Sequence, residues 1–209
     1  MTPAEVTFTT INGIKTAEVI HRPGEGVGAP PRIATNTVLM LHGWGASLKL
    51  MQPLGERLAA LGFCVYIPDL PGFGESEPPP AAWSAPDYAK FVVAYLDAHG
   101  LARVNLFGHS FGGRLGLVLG ADYPNRIVRM ALADAAGVPP KAPTADIRLR
   151  GYKAIRDGLY KVGAKGLADD LRQRYNARYG SADFQAASGV LRETFVKVVN
   201  GICARMPGA

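Results

Sequence analysis

Four short apolar runs, separated by longer amphipathic stretches, constrain the fold of this chain more than any other feature of its sequence. The runs span residues 37–41, 63–67, 103–107 and 127–132. The stretches between them predict helices over 47–61, 85–99 and 110–122. Near-continuous apolar strands that alternate with helices are typical of a parallel sheet with both faces covered. The sequence therefore predicts an α/β fold, with a mostly parallel sheet and helices on both of its faces.

A β-hairpin is predicted ahead of these strands. Residues 6–11 and 14–20 are strand-like and flank Asn12-Gly13, a pair whose residues both accept the positive φ of a tight hairpin turn. A loop rich in proline and glycine follows over 23–31. With the hairpin included, the chain has six predicted strands.

The alternation of strands and helices ends at Pro139-Pro140, and strand-like runs do not return. We therefore predict a core over residues 1–140, a helical subdomain over 141–199 and an irregular tail over 200–209. Five glycines are expected to separate the helices of the subdomain, and they are Gly151, Gly158, Gly163, Gly166 and Gly180.

Composition limits the class of protein. Apolar residues make up 48% of the chain and charged residues 19%, which indicates a globular protein rather than a disordered one. No apolar run approaches the ~18 residues of a membrane-spanning helix, and the start of the chain lacks the apolar centre of a secretory signal. The two cysteines, Cys64 and Cys203, have neither metal-ligand nor redox spacing, so we predict a cytoplasmic location and no metal or cofactor.

The formal net charge of the whole chain is +6, and the positive charge is concentrated in one segment. Residues 141–180 hold ten basic and four acidic side chains. Such a cluster can indicate an anionic partner or a membrane surface, but its spacing along predicted helices is that of solvated helix faces. We therefore expect a small-molecule substrate and no nucleic-acid partner.

A glycine-flanked serine provides the strongest chemical signal. The motif Gly108-His109-Ser110-Phe111-Gly112 follows the strand predicted at 103–107 and opens the helix predicted at 110–122. A serine on such a sharp turn has strained backbone geometry, and the flanking glycines remove the Cβ atoms that would clash. The N-terminus of the helix also favours developing negative charge. This context predicts that Ser110 is a nucleophile.

Acyl transfer at Ser110 would need two backbone N–H groups directed at an oxyanion. One is expected from Phe111, the residue after the nucleophile, and the other from Trp44 in the segment His42-Gly43-Trp44-Gly45. His42 is expected to order this turn rather than to titrate. A third segment, 69–76, has the punctuation of a tight turn and is expected to have a structural role near the mouth of the site.

The segments H-G-W-G, D-L-P-G-F-G-E-S and G-H-S-F-G-G, in this order, resemble the α/β-hydrolase family. The resemblance covers residues from about 5 to 199 and implies the first six strands of that fold, with 143–199 as its helical cap. It is a resemblance to esterases, C–C bond hydrolases and proline-specific peptidases, and not to the dehalogenase and epoxide hydrolase branches, which have aspartate in place of Ser110. It implies hydrolysis of an ester, amide or C–C bond of a small, largely apolar substrate through an acyl-Ser110 intermediate.

The catalytic triad of this family runs serine, acid, histidine in chain order, and this sequence departs from that order. Its four histidines, His21, His42, His99 and His109, all precede Ser110. Asp134, just beyond the strand predicted at 127–132, is the candidate acid, and a turn or cap role at the strand end is its alternative.

Two functions therefore remain open. The first is a serine hydrolase whose activity is impaired because the base is missing or comes from another chain, and we expect this chain to be a truncated hydrolase gene product. The second is a non-catalytic protein of the same fold that binds a small apolar ligand. In either case the strand 127–132 would border an open sheet edge, which predicts self-association.

Overall fold

One six-stranded sheet organises the chain in this computed structural model, which describes residues 5–23, 36–137, 147–179 and 182–200. The strands are β1 (Thr7–Ile11), β2 (Ile14–His21), β3 (Thr37–Leu41), β4 (Cys64–Pro68), β5 (Val104–His109) and β6 (Ile127–Ala133). The helices are α1 (Leu48–Ala60), α2 (Ala85–Ala98), α3 (Phe111–Asp122), α4 (Ile147–Lys161), α5 (Lys165–Tyr179), α6 (Ala182–Ala186) and α7 (Gly189–Asn200). The spatial order of the strands is β1-β2-β4-β3-β5-β6.

The sheet is mixed and mostly parallel, which confirms the predicted fold class. Strands β4, β3, β5 and β6 pair in parallel, whereas β1 pairs with β2, and β2 with β4, in antiparallel fashion. The turn between β1 and β2 is the predicted one, with a φ of 49° at Asn12 and 83° at Gly13. Positive φ at both residues matches the right-handed twist of the paired strands.

Helices cover both faces of the sheet because the side chains of each strand alternate between two apolar layers. Val38 and Met40 of β3 point to the layer that contains Leu48 of α1. Leu39 and Leu41 point to the layer formed with α2 and α3. The central strands therefore place apolar side chains in both layers, as the near-continuous apolar runs predicted.

The C-terminal part of the described chain is helical, as predicted, but most of the glycines do not separate the helices. Gly151 and Gly158 lie inside α4 and Gly166 lies inside α5, where the positions are open and glycine costs only helix propensity. Gly163, with a φ of 79°, does lie between α4 and α5. Gly180, the loop residues 24–31 and the tail residues 201–209 lie outside the described residues, and the division into core and subdomain stays a prediction.

No helix among the described residues combines the length and the apolar character needed to cross a bilayer.

A buried polar cluster connects β2 to α2. The Tyr95 hydroxyl donates a hydrogen bond of 2.5 Å to Glu18 Oε2, and His99 Nε2 lies 2.8 Å from the same oxygen. Glu18 is 4% exposed and Tyr95 is fully buried. A buried carboxyl group is costly without such partners, so the cluster offsets the desolvation of Glu18 and fixes α2 against the sheet.

Glycines allow α3 to begin directly against the sheet. A Cβ at Gly112 would overlap the carbonyl oxygen of Leu41 at the end of β3, and a Cβ at Gly108 would lie 2.5 Å from the Gly112 oxygen. The Gly112 N–H donates to the His42 carbonyl oxygen at 3.0 Å. Only residues without side chains permit this contact between backbones.

Substitution of the Tyr95 hydroxyl tests the buried cluster. Tyr95→Phe should lower the free energy of unfolding by about 2 kcal/mol, because hydrogen bonds to charged groups contribute about 1.5–3 kcal/mol. Tyr88→Phe is the matched control, since the Tyr88 hydroxyl donates to a neutral acceptor, Pro71 O, at 2.9 Å, and we expect a loss of about 1 kcal/mol. Urea unfolding monitored by circular dichroism measures both.

The pH dependence gives a second test of the cluster. Burial, assisted by Glu18, raises the pKa of Tyr95 well above its ordinary value. The wild-type protein should therefore lose this stabilisation as the pH rises above about 10. Tyr95→Phe should lose less, because only Tyr88, whose pKa burial also raises, still contributes to the alkaline loss. Two results together would contradict a special role of the cluster. One is an equal loss of unfolding free energy in Tyr95→Phe and Tyr88→Phe, and the other is the same alkaline loss of stability in Tyr95→Phe as in wild type.

Gly112→Ala should destabilise the protein by about 2–3 kcal/mol, because the added methyl group forces the first turn of α3 away from β3. Gly120→Ala in the same helix is the control. Its Cβ would lie 3.1 Å from the movable end of Met130, and alanine favours a helix by about 1 kcal/mol. Urea unfolding should therefore separate the two variants clearly, and equal midpoints would contradict the close approach.

Candidate active site

Ser110 lies between the last residue of β5 and the first residue of α3. Its φ of 49° and ψ of −108° are rare for a residue with a side chain and strain the backbone. Hydrogen bonds hold this conformation. The Ser110 N–H donates to Ala133 O, and the Ser110 carbonyl oxygen accepts from the N–H groups of Arg114 and Ala136, all at 3.0 Å. The segment that follows β6 therefore fixes the turn.

The Ser110 hydroxyl is available for chemistry. The residue is partly exposed, and its side chain forms no hydrogen bond within the described ranges. It stands at the N-terminus of α3, a helix of 12 residues. The helix dipole there favours negative charge, which makes this end of the helix a suitable place for an oxyanion.

The loop after β3 lies directly against Ser110. A Cβ built on Gly43 would lie 3.4 Å from Ser110 Cβ and 3.1 Å from His109 Nδ1. The next residue, Trp44, has its ring 5.3 Å from the ring of Phe111. The structure thus brings Trp44, Phe111 and Ser110 together, and the role of the two backbone N–H groups as oxyanion donors stays a prediction.

Aromatic side chains surround Trp44. Its ring meets those of Phe73 at 4.9 Å, Phe111 at 5.3 Å and Phe195 at 5.1 Å, all edge to face. Phe195 comes from α7 and was not predicted as a site residue, since no local motif separates it from the other apolar residues of that helix. Only the packing of α7 on the loop reveals it.

His42 has a structural role, as expected. Its ring is fully buried, Nδ1 lies 2.7 Å from Gly43 O, and Nε2 accepts the N–H of Leu70 at 3.0 Å. Burial lowers the pKa of His42, although the bond to Gly43 and the nearby Asp69 act in the opposite direction. A neutral imidazole with its proton on Nδ1 satisfies both bonds. His42 therefore joins the loop after β3 to the loop after β4.

Asp69 stabilises the third predicted segment. Its Oδ1 accepts the N–H of Leu48 at the start of α1 at 2.5 Å, and its Oδ2 accepts the N–H of Glu75 at 2.9 Å. A Cβ at Gly74 would overlap this carboxyl group. These bonds fix the loop 69–76 as a tight turn beside the site, which agrees with its expected structural role.

Asp134 lies close to Ser110 along the backbone but has no visible partner. It has a φ of 48° and is exposed in the turn whose flanking residues, Ala133 and Ala136, bond to Ser110. Within the described residues its carboxyl group makes no hydrogen bond or ion pair. Its role as the acid is not tested by this geometry and stays a prediction.

All four histidines lie in the described part of the chain, and none forms a hydrogen bond with Ser110. His99 contacts Glu18, and His21 packs beside Gly55 on the α1 face of the sheet. His109 directs its buried Nδ1 toward Gly43. Among the residues that the structure describes, no three His, Cys, Asp or Glu side chains are grouped to hold a metal ion.

The sequence is similar to those of known proteins. The sequence model of the α/β hydrolase fold matches residues 36–192. RutD of Variovorax paradoxus, which is named as a carbamate hydrolase, is 31% identical over 193 residues, covering 83% of this chain and 68% of that protein. The 2-hydroxymuconate semialdehyde hydrolase of Pseudomonas putida is 33% identical over 121 residues, covering 57% and 40%.

A solved structure gives the same result for the fold. A bacterial membrane phospholipase A superposes with a TM-score of 0.60 at 22% identity, covering 85% of this chain and 64% of that one. Two other curated relatives are considerably longer than this chain. The region that matches covers 32% of one, an acetyltransferase component of Cupriavidus necator, and 36% of the other, a protein of Mycobacterium bovis. The family match and the extent of the RutD alignment lead to one conclusion: this chain belongs to the α/β-hydrolase fold family.

Proposed function

We propose that Ser110 is the nucleophile of a serine hydrolase that acts on an ester, amide or C–C bond of a small, largely apolar substrate. The observation that carries this proposal is the strained turn at Ser110, which presents a hydroxyl without hydrogen-bond partners at the N-terminus of α3. Family membership supports hydrolysis as the reaction class. Serine at this position supports the serine branch over branches with an aspartate nucleophile.

The proposed reaction forms and breaks an acyl-serine. For an ester, Ser110 Oγ attacks the carbonyl carbon while its proton passes to a base. The tetrahedral oxyanion faces the N–H groups of Trp44 and Phe111, and the alkoxide leaving group departs with a proton. Water then attacks the acyl group and releases the acid and free Ser110. The two N–H groups would act through electrostatic stabilisation, commonly the largest contribution to such catalysis.

The base is the missing part of this proposal. None of the four histidines bonds to Ser110, so in this chain the proton would pass to water or to a base from another chain. We propose Asp134 as the candidate acid, because its turn is bonded to the backbone of Ser110. The same deficit favours the second candidate function, a protein of this fold that binds a small apolar ligand without turning it over.

We also propose that residues 141–199 form a cap over the core of residues 1–140. Two contacts of helix α7 support this. Phe195 packs on Trp44, and a Cβ built on Gly72 would lie only 2.5 Å from Leu191 Cδ2. In addition, Arg114 of α3 donates to the carbonyl oxygen of Val198. The aromatic groups around Trp44 support an apolar substrate, because they offer few polar partners.

A cytoplasmic location remains our proposal as well. It is supported by Cys64, a free and partly buried thiol in β4, because structural disulfides are rare in reducing compartments. Cys203 lies outside the described residues.

Covalent labelling tests the role of Ser110. Loss of a triad base lowers kcat by about 10⁶-fold in a well-studied serine protease and leaves roughly 10³–10⁴-fold over water. We therefore expect this chain to hydrolyse p-nitrophenyl esters slowly and to react slowly with a fluorophosphonate, with the adduct located on Ser110 by mass spectrometry. Ser110→Ala should abolish both signals, and Ser84→Ala, at the start of α2, should leave them unchanged.

Three results would change this assignment. Equal labelling of Ser110→Ala and wild type would contradict the nucleophile. Rapid labelling at Ser110 would contradict the missing base. Reversible binding of an apolar ligand, with no adduct after long incubation, would favour the non-catalytic function.

The edge of the sheet leads to a further proposal, that two copies associate through β6. Among the described strands β6 pairs only with β5, and Leu132 on it is 37% exposed. Exposed strand edges promote pairing, and a lysine on the edge opposes it.

We expect wild type to dimerise or aggregate in size-exclusion chromatography with light scattering, and Ala131→Lys to be monomeric. Ala121→Lys, an exposed position on α3, is the control, and a monomeric wild type would contradict the proposal.

A further inference from the structure

Helices α4 and α5 form a hairpin that is held together mainly by its own contacts. The rings of Tyr152 and Tyr175 stack at 3.9 Å, and the Tyr160 hydroxyl donates to Asp169 Oδ1 at 2.7 Å. Ala168 of α5 is fully buried. The turn between them is closed by hydrogen bonds, including Ala164 N–H to Leu159 O at 2.9 Å. The hairpin end therefore has a defined shape.

Large apolar side chains protrude from the end of this hairpin, residues 161–167. Val162 is 77% exposed and Leu167 is 64% exposed. Ile155, 59% exposed, lies within α4, seven residues before Val162. Single exposed apolar residues are ordinary on a protein surface, but here Val162 lies in the turn and Leu167 lies in the first turn of α5.

The charge at the hairpin end is positive and uncompensated. Lys161 and Lys165 are exposed, and residues 161–167 contain no acidic side chain. The three acidic residues nearby are already paired, and the pairs are Arg156–Asp157, Arg172–Asp169 and Arg174–Asp170. Within the described residues the two lysines have no acidic partner. Spacing alone favours solvated helix faces, and what the structure adds is the exposure of Val162 and Leu167 beside these lysines.

We propose that the hairpin end docks on an anionic lipid surface, with Val162 and Leu167 among the headgroups and Lys161 and Lys165 on the lipid phosphates. Apolar residues beside lysines are typical of elements that lie in the membrane interface. A protein partner fits less well, because lysine is depleted from protein–protein interfaces. Nucleic acid fits less well too, because aliphatic side chains contribute little to phosphate contacts. The inference does not depend on the role of Ser110.

Vesicle co-sedimentation of the full chain tests the proposal. We expect binding to vesicles of phosphatidylcholine with phosphatidylglycerol, and little binding to phosphatidylcholine alone. A lysine near an anionic surface contributes about fivefold to partitioning, so Lys161→Gln/Lys165→Gln should weaken binding about 25-fold. Val162→Ser/Leu167→Ser should weaken it about tenfold or more. Leu61→Ser and Lys49→Gln, at equally exposed positions on or beside α1, should bind as wild type.

Tryptophan fluorescence gives a second readout at the hairpin end. Val162→Trp should shift to shorter wavelength on addition of the anionic vesicles, and Leu61→Trp should not. The substituted positions are exposed, and circular dichroism checks that each variant remains folded. No binding to anionic vesicles, or unchanged binding of Lys161→Gln/Lys165→Gln, would overturn the proposal. The proposal would also be overturned if Val162→Ser/Leu167→Ser bound the anionic vesicles as strongly as wild type, since adsorption would then depend on charge alone.

Discussion

The close approach of α3 to the strands beneath it is the constraint on which the site depends. Gly112 contacts the backbone at the end of β3, Gly108 contacts the backbone of Gly112, and Gly113 contacts Ala135 in the segment after β6. Any side chain at Gly112 would force the helix and strand apart. Because the backbones touch, the loop after β3 reaches α3, and Ser110 is held in a conformation that a looser junction would relax.

Buried polar groups then hold the surrounding loops in place. His42 bonds the loop after β3 to the loop after β4, and Asp69 bonds the latter to the start of α1. These groups are desolvated, so leaving any of them unpaired would cost free energy, and the bonds favour a single arrangement of the loops. Rigid loops are what an oxyanion site requires, since its donors must be in position before the charge develops.

Much of this could be predicted from the sequence because the signals are local. Strand and helix bounds follow from apolar periodicity, and they lie within about two residues of the observed ones. The hairpin turn follows from Asn12-Gly13, and the turn at Ser110 follows from glycines on either side of one serine. The prediction that Gly151, Gly158 and Gly166 separate helices was wrong, because glycine at an open position inside a helix costs only helix propensity.

The sequence by itself determined the fold class, the sheet and the place of Ser110 at a strand-to-helix junction, because periodicity and turn chemistry depend on neighbouring residues. The tertiary structure alone decided that Phe195 of α7 packs on Trp44, that Glu18 meets Tyr95 and His99, and that Val162 and Leu167 are exposed beside two lysines. These contacts join residues far apart in the chain or depend on which face a helix buries. Their reason is the packing of whole elements, which no local pattern contains.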